Sequence, residues 1–184
     1  MQLELKVATL EDVSEVLALH YRYQVDSICE EDKADGFITT AFTEQHLRDL
    51  IQIEQGLFIA KHNNKIVAYA MSASWQFWCQ WPMFAYMVEH LADATYLGNS
   101  LTVDNSYQYG PVCVDKSVRG KGVFEQVFTF ALAQMSQRYP FLVTFINQTN
   151  GRSFQAHTRK VKLDVIETFS FNHNEYFKLA CKTG

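Results

Sequence analysis

Residues 112–124, Val-Cys-Val-Asp-Lys-Ser-Val-Arg-Gly-Lys-Gly-Val-Phe, constrain the fold of this chain more than any other stretch. A strand of buried type, Val112-Cys113-Val114, runs into a loop bearing Gly120 and Gly122, and the loop opens a helix. Without a Cβ at either glycine the backbone N–H groups can turn inward. The helix adds its unpaired first-turn donors and the positive end of its dipole. Such a loop is an anion cradle. The helix behind it carries Val123, Phe124, Val127, Phe128, Phe130, Ala131 and Met135, apolar over a wide face, and so packs under a sheet.

The segments before the loop supply part of that sheet. Leu3, Leu5 and Val7 alternate with polar residues and predict a first strand. Thr9, three residues ahead of Asp12, predicts an acidic variant of the capping box and a helix with Val13, Val16, Leu17 and Leu19 along it to about Tyr23. Between Asp26 and Gly36, the acidic residues Glu30, Glu31, Asp32 and Asp35 read as a solvated loop; their functional reading is an electronegative rim that attracts an amine. Thr43 caps a second helix carrying Leu47, Leu50, Ile51 and Glu54 and ending at Gly56. Leu57 to Lys61 and Lys65 to Ser72 form a hairpin about His62-Asn63-Asn64.

Residues 73–108 are crowded with aromatics: Trp75, Phe77, Trp78, Trp81, Phe84, Tyr86 and Tyr96. They predict a core or an oligomer contact ahead of a substrate pocket, because aromatic residues dominate both kinds of buried surface. Pro82 suits the first turn of a helix over about Met83 to Leu91, His90 beside Glu89 reads as its surface end, and Leu97 to Tyr107 read as loop or irregular strand. After the helix behind the glycine loop, Phe141 to Ile146 predict a buried strand. Asn150 then caps a short helix containing Arg152, Ser153, Phe154 and His157. Val161 to Phe169 and Tyr176 to Cys181 are the last strands, separated by Asn172-His173-Asn174.

A length of 184 residues suits one domain, 1–184, with 73–108 as its insertion. Fourteen Phe, nine Tyr and three Trp exclude a disordered chain, and a net charge of −4 leaves no basic footprint for nucleic acid. No apolar run has the length of a bilayer span, so no membrane contact is expected. Cys29, Cys79, Cys113 and Cys181 lack C-x-x-C spacing and the first residues lack the apolar run of a signal peptide. The reducing cytoplasm is therefore the expected compartment, with no metal.

Four stretches also carry a family resemblance. They are Val7-Ala8-Thr9-Leu10-Glu11-Asp12; Gly36-Phe37-Ile38 followed by Thr43-Glu44-Gln45-His46-Leu47; Val112 to Gly122, with its Arg119-Gly120-Lys121-Gly122 core; and Asn150-x-x-Ser153-x-x-x-His157. In this order and on these elements they resemble the Gcn5-related N-acetyltransferases, over nearly the whole chain. The family's glycine signature is Arg or Gln, two residues, Gly, one residue, then Gly or Ala, and its last helix reads Asn-x-x-Ala/Ser-x-x-x-Tyr. The resemblance implies an α/β fold with a mixed, mostly antiparallel central sheet flanked by helices, and places the helical, aromatic-rich insertion between the third and fourth strands. It implies acetyl-coenzyme A (acetyl-CoA) as cosubstrate. Backbone amides from Arg119 through Gly120, Lys121, Gly122 and Val123 to Phe124 would hold the pyrophosphate, the main chain of Val112, Cys113 and Val114 would pair with the pantetheine arm, and the helix face of Asn150, Ser153 and His157 would meet the thioester.

Three positions depart from the family pattern. Phe124 stands where Gly or Ala is usual and is expected to point into the core. His157 stands where Tyr is usual, and would protonate the departing thiolate only while itself protonated. Gly110 occupies the place of a frequent Glu base, so solvent or the neighbouring Tyr109 would take the amine proton. Cys113 reads as a buried, inert strand cysteine rather than an acyl carrier, and Asp115 as a loop anchor. The expected activity is N-acetyl transfer by direct attack of a primary amine of a small molecule or peptide. The rivals are a noncatalytic acyl-CoA-binding or sensing module, and an interaction protein whose aromatic insertion builds an interface such as a homodimer's.

Overall fold

The computed structural model describes residues 1–24, 26–27 and 38–184. The expected acidic loop residues Glu30, Glu31, Asp32 and Asp35, together with Gly36 and Phe37, lie outside the described residues. The chain gathers into two compact units, residues 1–72 with 110–131 and residues 73–109 with 132–184.

The first unit begins with strand β1 (Glu4–Val7), a 3-10 turn (Leu10–Asp12) and helix α1 (Val13–Tyr23). The Asp12 carboxylate accepts the Thr9 N–H at 2.9 Å and also meets the ammonium groups of Lys61 at 2.9 Å and Lys6 at 3.2 Å. Burial alone would raise its pKa, but the Thr9 N–H and the two lysines outweigh it and hold the carboxyl at about 2. Helix α2 (Glu44–Gln52) opens with a reciprocal box in which Thr43 Oγ1 accepts the His46 N–H at 3.2 Å and His46 Nδ1 accepts the Thr43 N–H at 3.0 Å. It stops at Gln52, short of the expected Gly56, and Gln55 takes the left-handed backbone with φ 49°. Gly56 is needed for a different reason: a Cβ there would lie 1.7 Å from the carbonyl oxygen of Ser72.

Strands β2 (Leu57–His62) and β3 (Lys65–Ala73) form the expected hairpin, turned by Asn63 and Asn64 at φ 51° and 63°, with His62 paired to Lys65 inside the ladder. Val16, Leu47, Leu50, Phe58, Ile59 and Val127 expose no surface and form this unit's core.

The second unit holds the aromatic segment: α3 (Trp75–Trp78), α4 (Pro82–Glu89) and a small hairpin of β4 (Thr95–Tyr96) and β5 (Asn99–Ser100). The hairpin turns at Leu97-Gly98 with φ 50° and 80°, and strand β6 starts at Ser106 and runs to Val114, so Leu97 to Tyr107 are turn and loop broken by short strand at Asn99–Ser100 and at the start of β6, in line with the expected loop or irregular strand. Trp75 and Trp78 are 1% and 0% exposed, and their indole N–H groups donate to Ser106 Oγ at 3.0 Å and to the Gln108 carbonyl at 3.1 Å. These two aromatics are core, as the sequence reading preferred, and they dock onto β6.

Strand β7 (Phe141–Asn147) runs parallel to β6 in a register from Ser106↔Phe141 to Gln108↔Val143. Helix α6 (Gly151–Gln155) continues as a wider π-helical turn (Ala156–Lys160), and Lys162 takes φ 58°. Strand β8 therefore starts at Asp164 rather than Val161, runs to Phe171 and turns at Asn172-His173 into β9 (Asn174–Lys182). Among the described residues the main strands are ordered β1-β2-β3-β6-β7-β9-β8, with β6 and β7 parallel and β1–β2, β2–β3, β7–β9 and β8–β9 antiparallel. Helix α5 (Val123–Met135) follows the glycine loop. Among the described residues no helix is long and apolar enough to cross a membrane.

Candidate functional site

The glycine loop in the first unit is anchored at its base. The Asp115 N–H donates to the Val67 carbonyl at 2.8 Å, while the Asp115 carboxylate accepts the Ser117 N–H at 2.9 Å and the Ser117 hydroxyl at 2.6 Å and pairs with Arg22. Burial opposes ionisation of Asp115, but the Ser117 donors and Arg22 hold its carboxyl below the usual range, so it is a charged anchor. The Lys116 N–H donates to the Tyr23 hydroxyl at 2.8 Å. Arg119 is held by two contacts, Nε donating to the Val114 carbonyl at 2.9 Å and the guanidinium carbon lying 5.0 Å from the Tyr23 ring centre. Lys121 is exposed, its Nζ 3.3 Å from the Ser117 carbonyl.

Gly120 and Gly122 sit at φ 76° and 77°, where an L side chain is strained. The space above them is open: an added Cβ would find nothing within 4 Å at Gly120, and only Gln126 Nε2, at 4.0 Å, at Gly122. Val123 is buried at the head of the 13-residue α5, whose first N–H groups have no intrahelical partner. Phe124, expected in the core, is half-buried with its ring 6.1 Å from that of Phe128. On β6, Val112 and Val114 are half-buried, and Cys113 is 4% exposed, burial pushing its thiol up to about 12.

The second unit brings together Tyr109 and His157, read as catalytic candidates on separate grounds. The Tyr109 hydroxyl lies 3.3 Å from His157 Nε2, and the residues are 1% and 3% exposed. His157 Nδ1 is 2.8 Å from the Ser153 carbonyl, which can only accept, so Nδ1 carries the proton and Nε2 accepts from Tyr109. Burial lowers the His157 pKa to about 4 against the pull of that carbonyl, and burial pushes Tyr109 well above 10. Both shifts favour the uncharged forms, a hydroxyl that can donate and an imidazole that can accept. Ser153 and His157 do share a face, Ser153 Oγ being 3.3 Å from His157 Nδ1, whereas Asn150 Oδ1 caps α6 by accepting the Ser153 N–H at 3.3 Å.

Sequence reasoning missed the groups that fix Tyr109. Its carbonyl accepts from Thr144 Oγ1 at 2.6 Å and from Gln108 Nε2 at 2.5 Å, just where the register of β6 with β7 ends. The one available signal was a threonine inside the apolar run of β7.

Comparison with solved structures finds an N-acetyltransferase from Staphylococcus aureus Mu50, matched over 100% of both chains with TM-score 0.64 and 16% identity. The ribosomal-protein-S18-alanine N-acetyltransferase from Escherichia coli matches over 99% of this chain and 94% of that one, with TM-score 0.63 and 9% identity. The fold is that of the Gcn5-related N-acetyltransferases. A Salmonella typhimurium structure of this N-acetyltransferase fold, with its cofactor acetyl-CoA, matches over 99% and 94% with TM-score 0.66 and 10% identity. No protein-family model and no curated protein matches the sequence.

Proposed function

We propose that this chain is an N-acetyltransferase that moves the acetyl group of acetyl-CoA directly to a primary amine of a small molecule or peptide. The observation that carries the reading is the loop from Arg119 to Phe124, where two glycines in left-handed backbone leave open space at the head of α5. That opening fits a pyrophosphate held by backbone N–H groups and the helix dipole, with Arg119 and Lys121 adding charge. The main chain of Val112, Cys113 and Val114 would pair with the pantetheine arm, and Asn150 and Ser153 would set the helix that faces the thioester. Among the similar structures one carries acetyl-CoA, and a NatC complex is bound to a Gag peptide and CoA.

The thioester supplies an activated acyl group. A neutral amine attacks its carbonyl, polarised by the strand N–H near Val114; the N–C bond forms and the C–S bond breaks. The amine loses one proton and the thiolate gains one, so the reaction balances through water without a charged His157. Tyr109 and His157 hold one another as a hydrogen-bonded pair within the second unit. A thiol as basic as Cys113 disfavours an acyl-cysteine route. The cytoplasm is the proposed compartment, consistent with free thiols at Cys79, Cys113 and Cys181.

Calorimetric titration with acetyl-CoA, paired with thiol release across a panel of amines, tests the reading; no binding at high micromolar coenzyme would end it. The neutral Tyr109–His157 pair and the absence of a carboxylate at Gly110 favour one second reading, a noncatalytic acyl-CoA sensor. Binding without thiol release would select that reading.

A further inference from the structure

The two strands that end the sheet order differ in how their edges are guarded. β1, first in the order, is four residues long and alternates Glu4 and Lys6 with its apolar residues, so charge protects it. β8, last in the order, is eight residues long, and among the described residues no strand lies on its outer side. Its two acids stand in its first half and are already engaged: Asp164 accepts from the Tyr96 hydroxyl at 2.5 Å, and Glu167 Oε1 lies 2.6 Å from Lys178 Nζ. The run Thr168-Phe169-Ser170-Phe171 carries no charge and no proline. A bare edge of this composition is a template for another strand.

The sequence of β8 favours a second copy of the chain as that strand. The bulge between Val165 and Glu167 and the turn at Asn172-His173 bound a regular run from Glu167 to Phe171. Opposite residues of an antiparallel pair share a face, so two copies related by a two-fold axis must set one residue against itself. Glu167 on the axis would oppose two carboxylates. Thr168 on the axis would set Ser170 and Phe171 against the bulge. Phe169 on the axis pairs the whole run: Thr168 meets Ser170 of the second copy, Glu167 meets Phe171, and Phe169 meets Phe169. In that register no like charges meet, hydroxyl faces hydroxyl and ring faces ring. Thr168 and Ser170 are exposed, and the half-buried Phe169 is stacked on Tyr176 at 5.2 Å and on Tyr86 at 6.1 Å, which fixes its ring before any contact forms. Trp75 and Trp78, by contrast, are buried and offer no surface to a partner.

We propose that the chain forms a two-fold homodimer in which β8 pairs antiparallel with β8 of a second copy, with Phe169 on the axis. The interface does not rest on the acetyltransferase reading. A contact built on one short strand from each copy is small, so the expected dissociation constant is about 1–100 μM. Sedimentation equilibrium on the full chain, from about 1 to 500 μM protein in about 50 mM salt, tests it with two double variants that differ only at position 168. Thr168→Lys with Ser170→Lys sets like charges opposite one another and weakens the dimer by about tenfold or more. Thr168→Glu with Ser170→Lys sets opposite charges there and keeps the wild-type affinity within about threefold. Both positions are exposed, and circular dichroism confirms that each variant is folded. A wild type that stays monomeric at about 500 μM would overturn the proposal and leave the edge to a different partner. Equal affinity in the two variants would overturn it as well, because a dimer contact elsewhere does not read the sign of the charge at this position.

Discussion

At the glycine loop the polar groups stand in the open: Gly120 and Lys121 are exposed, and the space above both glycines is clear. At the Tyr109–His157 pair they are shut away, 1% and 3% exposed, with burial the leading influence on their ionisation. The first region can act on a ligand through fixed backbone donors and surface charge. The second is a hydrogen-bonded pair whose burial favours the uncharged forms of both groups. Perturbation of the loop should therefore be read in ligand affinity, and perturbation around the pair in stability and its pH dependence.

The largest contrast is expected at Trp78, which is fully buried and donates to the carbonyl just before Tyr109. Trp78→Ala should lower the unfolding free energy by about 3–5 kcal/mol in urea titration, since it opens a cavity and orphans the Gln108 carbonyl. A loss below about 1 kcal/mol would mean that the insertion is not core.

Next comes pH. His157 and, in the first unit, the fully buried His20 are each lowered from 6.5 to about 4, first by burial. Their unfolded forms take up protons first as pH falls, so the stability they contribute is full above pH 6.5 and is lost as pH falls from there to about 4. The loss is about 3 kcal/mol per histidine by the end of that window. His157→Gln should remove about half of this acid sensitivity in urea midpoints measured across the window, while an unchanged profile would show that His157 is not held neutral.

The loop variants are smaller in energy and appear only in binding. Gly122→Val places a strained side chain in the cradle and should weaken acetyl-CoA by about 10- to 100-fold, with the fold intact by circular dichroism. Lys121→Ala should weaken it only severalfold, the difference fading in high salt as a surface charge effect must. A Lys121 effect that survives molar salt would mean that the side chain is not a surface charge but part of a built contact.

The two regions were unequally legible in the sequence for the same reason that they behave differently. Strand, glycines and helix of the cradle are contiguous, so the pattern from Val112 to Phe124 carries its own geometry. In the sequence Gly56 reads as a helix end because glycine commonly ends helices. Its actual requirement comes from the Ser72 carbonyl in a later strand, while Gln55 makes the left-handed turn. Likewise Trp75 and Trp78 are recognisably apolar, but their partners Ser106 and Gln108 are set by docking, which spacing does not encode. His157 can be named from the Asn150 helix pattern and Tyr109 only as the neighbour of Gly110. That they meet, and that burial leaves them neutral, depends on packing from residues far apart in the chain. The late start of β8 follows from the π-helical turn after α6, which no local signal between Ala156 and Lys162 announced.

The most direct test of the account is calorimetric titration of acetyl-CoA into the wild-type chain and into Gly122→Val. The account predicts one site per chain with a dissociation constant within the range of about 1 μM to 1 mM typical of enzyme substrates, and binding at least about tenfold weaker in the folded variant. No binding by the wild type at high micromolar coenzyme, or equal affinity in the two proteins, would contradict it.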